Sequence, residues 1–381
     1  MPSISTRPAR SRAGTRGRSG AAAAARGEAG LKLVNLALQG GGAHGAFTWG
    51  VLDRMLEDGR IGIDGISGTS AGAMNAAVMI TGLAEAGPAG ARAALGRFWR
   101  ALSDAGAASP LQRSPLDRMA GFLNGDPWSF DRSPAFFFFD VLTRFASPYE
   151  LNPLNYNPLR DIVADAVDFE AVREFREVRL FVSATNVHTG KVRVFSGAEI
   201  TLDAVMASAC LPQMFHAVEI DGAPYWDGGY MGNPPLFPLF KDARAADLVL
   251  IQTSPIERHE TPRTAREIAN RVNEITFNST LMRELGMIDF IDRQLASGRL
   301  DGKHFRQVWM HRISAEPEVA AMSDSSKLNA EWDFIVHLRD AGRAAAQAFL
   351  DGHFDDLGRR STFDVAALLA GSLSTAGPFP S

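Results

Sequence analysis

The sequence lacks the features of a membrane-spanning, disulfide-bonded or nucleic-acid-binding chain. No apolar run reaches the roughly 18 residues that a transmembrane helix needs, and no secretory signal peptide is evident. Cys210 is the only cysteine, which excludes a disulfide within the chain. A formal net charge of -4 gives no overall preference for nucleic acid. We therefore expect a cytoplasmic protein without nucleic acid as a partner, and peripheral membrane contact stays open.

The 381 residues have the ordinary composition of a soluble globular protein, with 46% hydrophobic and 22% charged residues. The first 30 residues are rich in Arg, Ala, Gly and Ser and contain no apolar stretch, which is typical of a disordered basic tail. The predicted organisation is a basic tail at 1–30, an α/β domain at 31–255 with a helical and loop insertion at about 87–157, a mostly helical C-terminal region at 256–374, and a disordered tail at 375–381.

Strand and helix patterns alternate from the start of the ordered chain. Short apolar strands are predicted at Leu33–Leu38 and Ile61–Ile66, and each is followed by a helix, at His44–Leu56 and Ala71–Ile80. This β-turn-α-β-turn-α order is the signature of a mostly parallel sheet. The sequence therefore predicts the α/β fold class.

A serine follows the second predicted strand in the pentapeptide Gly68-Thr69-Ser70-Ala71-Gly72. Small residues two positions before and after a serine permit a tight strand-to-helix turn that exposes the hydroxyl at the carboxyl end of a sheet. A helix N-terminus behind such a turn favours developing negative charge. Chance occurrence, or a serine that only caps the helix, is the alternative. The strand–turn–helix setting favours a nucleophile.

The first predicted strand ends in a glycine-rich loop, QGGGAHG, at residues 39–45. Gly40, Gly42 and Gly45 match the dinucleotide-binding pattern, and Asp64 lies about 20 residues further on. Three consecutive glycines also suit a backbone that directs N–H groups at a small anion, as an oxyanion hole does. We favour the oxyanion hole over a nucleotide site or a purely structural turn.

A serine needs a base, and Asp227 stands out in the segment YWDGGY. It follows a short aromatic strand and precedes two glycines, although a plain turn would look the same. His44 is more typical of a residue that packs or caps than of a base. A Ser–Asp–His triad would need a later histidine, and no local pattern singles out His259, His304, His311, His337 or His353.

Taken together, the glycine loop, the serine turn and Asp227-Gly228-Gly229 resemble the patatin-like phospholipase family in motif and order. The segment Ser208–Pro212 resembles a further family motif, Ser-Ala-x-x-Pro. The resemblance covers roughly Leu33 to Thr253, and the segment Ser147–Asp161 looks like a bacterial subset of the family. Gln39 stands where the family usually has Asp, a departure that leaves the glycine N–H donors in place.

The resemblance implies a three-layer α/β/α fold with a mostly parallel central sheet and a largely helical C-terminal extension. It also implies a lipid acyl hydrolase with a Ser–Asp dyad: Ser70 as nucleophile and Asp227 as the proton acceptor. The oxyanion hole would be Gly40, Gly41 and Gly42, and no cofactor or metal is expected. The supporting motif glycines are Gly45, Gly68, Gly72, Gly228 and Gly229.

Other functions remain open at this point. An acyltransferase or thioesterase could use the same acyl-serine, and a non-catalytic lipid- or nucleotide-binding protein could keep the fold. The expected partner is a lipid or another acyl ester, and the oligomeric state is not predicted. Phe136–Phe139, preceded by Trp128 and Phe130, is a candidate lid or acyl-binding wall, because four consecutive aromatic residues cannot all face one core.

Overall fold

The fold is known from a computed structural model. It describes residues 31–107, 113–114, 117–119, 121, 126–131, 133–240, 243–258, 260–302, 304–320 and 322–373. The two predicted terminal tails, 1–30 and 375–381, lie outside these ranges.

One eight-stranded sheet forms the centre of the molecule. Its strands are β1 Lys32–Leu38, β2 Ile61–Gly68, β3 Arg179–Asn186, β4 Val192–Ser196, β5 Val218–Ile220, β6 Ala223–Asp227, β7 Asp247–Gln252 and β8 Trp309–Ser314. The spatial order is β5-β6-β3-β2-β1-β7-β8, with β4 paired to β3. The pairs joining β3, β2, β1, β7 and β8 are parallel, and β4, β5 and β6 form antiparallel pairs at one side.

Helices surround the sheet. They are α1 Gly45–Asp58, α2 Ala71–Gly106, α3 Pro134–Phe145, α4 Pro148–Leu151, α5 Pro158–Ala166, α6 Phe169–Glu174, α7 Leu202–Ser208, α8 Ala265–Ala296, α9 Glu316–Val319, α10 Trp332–His353 and α11 Val365–Leu373. Short 3-10 helices lie at Gly42–His44, Gly197–Glu199, Gly228–Tyr230, Phe237–Leu239, Asp324–Leu328 and Phe354–Asp356. Within the described ranges, no helix has both the length and the apolar character needed to cross a membrane.

The side chains of the parallel strands pack into two hydrophobic cores, one on each face of the sheet. In β7, Val249 and Ile251 belong to the core with α1, α2 and α10, whereas Leu248 and Leu250 face α8 and α11. This alternation follows from the two-residue period of a strand. Burial on both faces explains the continuous apolar runs in the sequence and makes the fold a three-layer α/β/α sandwich, as expected.

One helix departs from the sequence-based expectation. Helix α2 begins at Ala71 as predicted but continues past Ile80 to Gly106, with a kink where Gly87 takes φ 64° before Pro88. A proline is tolerated there because it starts the second half of the helix, where its missing N–H has no helical partner. The start of the predicted insertion at about 87 therefore falls inside a helix.

The C-terminal region completes the main domain. Strand β8 extends the parallel sheet beyond β7, and α10 packs along α1. Gly50 and Gly342 lie where the two helix backbones touch, since a Cβ on either would collide with the partner backbone. Strand β8 therefore belongs to the same sheet as β1 and β2.

Candidate functional site

Strand register brings three sequence motifs to one edge of the sheet. Leu38 at the end of β1 pairs with Gly68 at the end of β2, and Gly68 pairs with Val182 of β3. Asp227, at the end of the antiparallel β6, pairs with Ala184 of the same β3. The glycine loop, the serine turn and Asp227 therefore lie at the same end of the sheet.

Ser70 occupies a strained turn between β2 and α2. Its φ of 53° and ψ of -124° lie in a region that residues with a side chain rarely adopt, a strain typical of functional turns. Ser70 is the N-cap residue of α2, yet its hydroxyl makes no capping hydrogen bond. The capping role that the sequence left open is therefore not taken by this side chain, and the hydroxyl faces the other groups of the site.

Asp227 is almost completely buried, with 1% of its surface exposed. Its Oδ1 accepts a 2.7 Å hydrogen bond from the Gly229 N–H, and its carboxyl group also interacts with the Ser70 hydroxyl. Burial raises the pKa of Asp227 to about 7, although both of these interactions favour the ionised form. The structure thus joins Ser70 with a carboxyl group that can exchange a proton near neutral pH.

One short segment, Ser208–Cys210, holds the backbones of both residues. The Ser208 hydroxyl accepts a 2.8 Å hydrogen bond from the Ser70 N–H, and the Cys210 carbonyl accepts one of the same length from the Asp227 N–H. Ser208 is fully buried. The sequence flagged this segment by motif but assigned it no role. Burial raises the pKa of the Cys210 thiol to about 12, which favours the protonated thiol over the nucleophilic thiolate.

The glycine loop lies directly against the serine turn. A Cβ on Gly40 would come within 2.8 Å of the Ser70 Cβ, so only glycine fits there. The Gly40 N–H donates a 2.7 Å hydrogen bond to Asn233 Oδ1. The N–H of Gly40, one of the three predicted oxyanion donors, is thus already engaged in this structure. Among the described residues, the amides of Gly41 and Gly42 have no hydrogen-bond partner, and both glycines line the cavity beside Ser70.

Gln39, the departure from the family pattern, anchors the loop. Its Oε1 accepts 2.9 Å hydrogen bonds from the Thr253 and Ser254 N–H groups, and its Nε2 donates to Asn278 Oδ1 at 2.8 Å. The Thr253 hydroxyl donates to the Gly40 carbonyl at 2.8 Å. An amide serves here because it is donor and acceptor at once, which a carboxylate is not.

The remaining motif glycines are packing sites. At each of them an added Cβ would come closer than 3 Å to a neighbouring residue: Ala71 for Gly45, Ala73 for Gly68, Leu38 for Gly72, Ser183 for Gly228 and Phe277 for Gly229. The motifs therefore owe their glycines to the close approach of backbone segments around the site.

The histidines do not join this arrangement. His44 Nε2 pairs with the Ser326 hydroxyl at 2.8 Å, and burial, helped by the charge of Lys327, lowers the His44 pKa to about 3. His44 is therefore a neutral buried residue, as the sequence favoured. None of the described histidines lines the cavity beside Ser70, and His259 lies outside the described residues.

Ser70, Asp227 and the glycine loop open into a cavity of about 700 Å³. Much of its wall is apolar and includes Met74, Phe98, Trp99, Phe136, Met214 and Phe277. A concave, largely apolar cavity with a few convergent polar groups is typical of a small-molecule or lipid site. In the part of the chain that the structure describes, no group of three or more His, Cys, Asp or Glu side chains is arranged to hold a metal ion.

The aromatic run at 136–139 lies on α3 and is divided between the cavity and the surface. Phe136 is buried, lines the cavity and stacks on Phe130 with ring centroids 6.1 Å apart. Phe138 is 67% exposed. The side chains of Phe137 and Phe139 lie outside the described part. At least one residue of the run therefore forms cavity wall, while another meets solvent beside it.

Comparison with known proteins identifies the family of the chain. The solved structures that are similar to it include VipD and ExoU. VipD from Legionella pneumophila is 13% identical with a TM-score of 0.34, over 82% of this chain and 67% of VipD. ExoU of Pseudomonas aeruginosa, in complex with SpcU, is 16% identical with a TM-score of 0.29, over 90% and 77%. No curated protein sequence gives a significant match. The family model of the patatin-like phospholipases matches residues 36–240, more than half of the chain. The chain belongs to the patatin-like phospholipase family.

Proposed function

We propose that this protein hydrolyses carboxylic ester bonds of lipids through an acyl-serine intermediate, with Ser70 as nucleophile and Asp227 as base. The observation that carries the proposal is the contact between the uncapped Ser70 hydroxyl and the buried Asp227 carboxyl group, at the wall of a largely apolar cavity. Family membership supports a lipid substrate.

In the first half of the reaction, Ser70 Oγ attacks the ester carbonyl carbon while its proton passes to Asp227. The carbonyl oxygen becomes an oxyanion, which the amides of Gly41 and Gly42 can stabilise by hydrogen bonds. The intermediate then collapses: the bond to the alcohol oxygen breaks, and the alcohol leaves with the proton held by Asp227. The acyl group stays on Ser70 as an ester.

In the second half, water replaces the alcohol. Asp227 takes a proton from the water, the hydroxide attacks the acyl-serine, and the fatty acid leaves as Ser70 recovers its proton. A carboxylate is a weaker base than imidazole, and burial offsets this weakness because it brings the Asp227 pKa to about 7. No histidine is needed for either half.

The close packing of Gly40 on Ser70 favours an oxyanion hole over the nucleotide site that the glycine pattern also allows. The backbone of Gly40 packs directly against Ser70, and the Gly40 N–H donates its hydrogen bond to Asn233. Transfer of the acyl group to an acceptor other than water would use the same residues.

Fatty-acid release from a phospholipid and hydrolysis of a p-nitrophenyl ester test the proposal. Ser70→Ala should abolish both activities, whereas Ser297→Ala, at the exposed end of α8, should keep them. Folding of both variants is checked by circular dichroism. Residual activity above roughly 1% in a folded Ser70→Ala variant would contradict the proposal, since loss of a nucleophile costs far more than a hundredfold. Release of the alcohol without fatty acid, in the presence of an acceptor alcohol, would instead favour acyl transfer.

A further inference from the structure

Both cations that line the cavity, among the described residues, come from beyond the family match. Arg266 lies on α8, and Lys327 lies in the 3-10 helix Asp324–Leu328. Each is paired with a carboxylate of the same wall: Arg266 Nη1 lies 3.6 Å from Asp131 Oδ1, and the Lys327 ammonium contacts Asp324. The wall pairs, Arg266–Asp131 and Lys327–Asp324, thus give the cavity two positive and two negative charges away from Asp227.

Helix α8 contributes both apolar and polar side chains to the cavity wall. Phe277, Asn273, Asn270 and Arg266 line the cavity at helical spacing, so they share one face. Phe277 packs on Gly229, two residues from Asp227. At 1.5 Å per residue, Asn273 lies about 6 Å and Arg266 roughly 16 Å further along the helix axis. Among these four residues, the charged one therefore lies farthest from Asp227.

Lys327 stands close to the glycine loop. Its carbonyl lies against Gly42, and a Cβ built on Gly42 would be 3.4 Å from the Lys327 Cβ. The ammonium group therefore extends from a backbone that touches the predicted oxyanion donors. If the ester carbonyl of a substrate lies at Ser70, the polar group next to that ester can extend along the cavity wall toward Lys327.

We propose that the wall pairs form a head-group subsite that selects lipids with a zwitterionic phosphodiester head group. The phosphate would exchange with the carboxylates as the partner of the cations, since ammonium and guanidinium groups are strong phosphate donors. The amine of the head group would bind the carboxylates that are released. The inference rests on the proposed function, because it places the ester at Ser70.

Charge balance decides between head groups. A head group with only negative charge satisfies the two cations but meets the two carboxylates, and like charges in a partly buried wall repel each other. A neutral diacylglycerol offers neither charge and leaves both wall pairs as they are. A zwitterion complements both signs. The protein should therefore prefer phosphatidylcholine to phosphatidylglycerol and to diacylglycerol.

Selectivity is measured on phosphatidylcholine, phosphatidylglycerol and diacylglycerol with identical acyl chains, in the same mixed micelles of non-ionic detergent. Lys327→Met should lower kcat/KM on phosphatidylcholine about tenfold more than on diacylglycerol, roughly the effect of one lost ionic contact. Asp324→Asn should change selectivity the other way and raise the ratio of phosphatidylglycerol to phosphatidylcholine several-fold. Arg283→Gln, on an exposed position of α8, and Lys191→Met, in an exposed turn, should leave the ratios unchanged.

A variant that loses its fold or its catalytic chemistry should lose activity on all three lipids alike. An equal fall on all three lipids in Lys327→Met, or no head-group preference in the wild-type protein, would overturn the subsite and leave the proposed hydrolase standing. A separate measurement does not need catalysis: calorimetry of the Ser70→Ala variant with monomeric dihexanoylphosphatidylcholine and its phosphatidylglycerol analogue. Tighter binding of the zwitterion, lost in the Ser70→Ala/Lys327→Met double variant, supports the subsite even if turnover fails. Equal binding of the two lipids contradicts it.

Discussion

The family-matched part of the chain, residues 36–240, and the C-terminal part, from 243 onward, contribute different things to one cavity. The first part supplies the groups that we propose to be reactive: Ser70, Asp227 and the glycine loop. The second supplies β8, the helix that covers α1, and the two cations of the wall pairs. The C-terminal part is therefore built into the catalytic domain, although it carries no recognisable motif.

The two parts differ in how far their features can be recognised in the sequence. The proposed reactive groups sit on tight turns, whose glycines leave a local pattern. The wall is built by long helices and side chains that converge only in the folded chain, and their spacing looks like that of any amphipathic helix. We therefore expect substitutions near Ser70 to lower the catalytic rate strongly. Substitutions in the C-terminal core should instead lower the free energy of unfolding.

Asp227→Asn should lower kcat by about 10³- to 10⁴-fold, a larger loss than any substitution in the C-terminal part, because it removes the proposed base. The same change should stabilise the fold. The raised pKa means that ionisation of Asp227 costs stability as pH rises from about 4 to 7, by up to about 4 kcal/mol. Urea denaturation at pH 8, beside kinetics, checks both effects.

Asp221→Asn is the matched control for this substitution. Asp221 lies in the exposed hairpin turn between β5 and β6, so both properties should stay at the wild-type values. An Asp227→Asn variant that is both inactive and less stable would contradict the account of a buried base with a raised pKa.

The strands and the sharp turn at Ser70 could be predicted from sequence because each depends on neighbours within a few residues. The hydrogen-bond partners around the candidate site could not. The Gly40 N–H is taken by Asn233, 193 positions away, and Ser208 meets Ser70 across 138 positions. Such contacts depend on strand order, which a single sequence does not contain. The length of α2 was missed because Gly87-Pro88 looks like a helix end when it is only a kink.

Ser208→Ala tests the segment that holds both reactive backbones. Loss of its hydroxyl leaves the half-buried Ser70 N–H without this acceptor, at a cost of about 1–3 kcal/mol. Ser208 touches no substrate, so it is a positioning residue. We expect kcat to fall roughly 10- to 100-fold with KM nearly unchanged. Stopped-flow measurement of the acylation burst would locate the defect, and a change confined to KM would argue against positioning.

The pH profile should carry the signature of Asp227. The base must be ionised in the free enzyme, so kcat/KM should rise about tenfold per pH unit below 7 and level off above it. This rise of kcat/KM with pH should be absent from the residual activity of Asp227→Asn. A rise centred near the ordinary aspartate pKa of about 4 would mean that the catalytic base is not a buried carboxyl group with a raised pKa.

Leu338→Ala should affect catalysis least. Leu338 is fully buried on α10, in the core beside α1, so its truncation should cost about 2–5 kcal/mol of unfolding free energy. Activity per folded molecule at low temperature should stay within a factor of about two, since catalytic losses scale with lost transition-state contacts. A large fall in kcat at unchanged stability would erase the contrast between the two parts of the chain.

The central claim, that Ser70 is the nucleophile, is tested most directly by locating a covalent adduct. The wild-type protein is treated with a fluorophosphonate and digested, and the modified peptide is sequenced by mass spectrometry. The account predicts one phosphonyl group on Ser70, labelling that is much slower in Asp227→Asn, and none in Ser70→Ala. An adduct on another residue, or labelling that persists in Ser70→Ala, would contradict it.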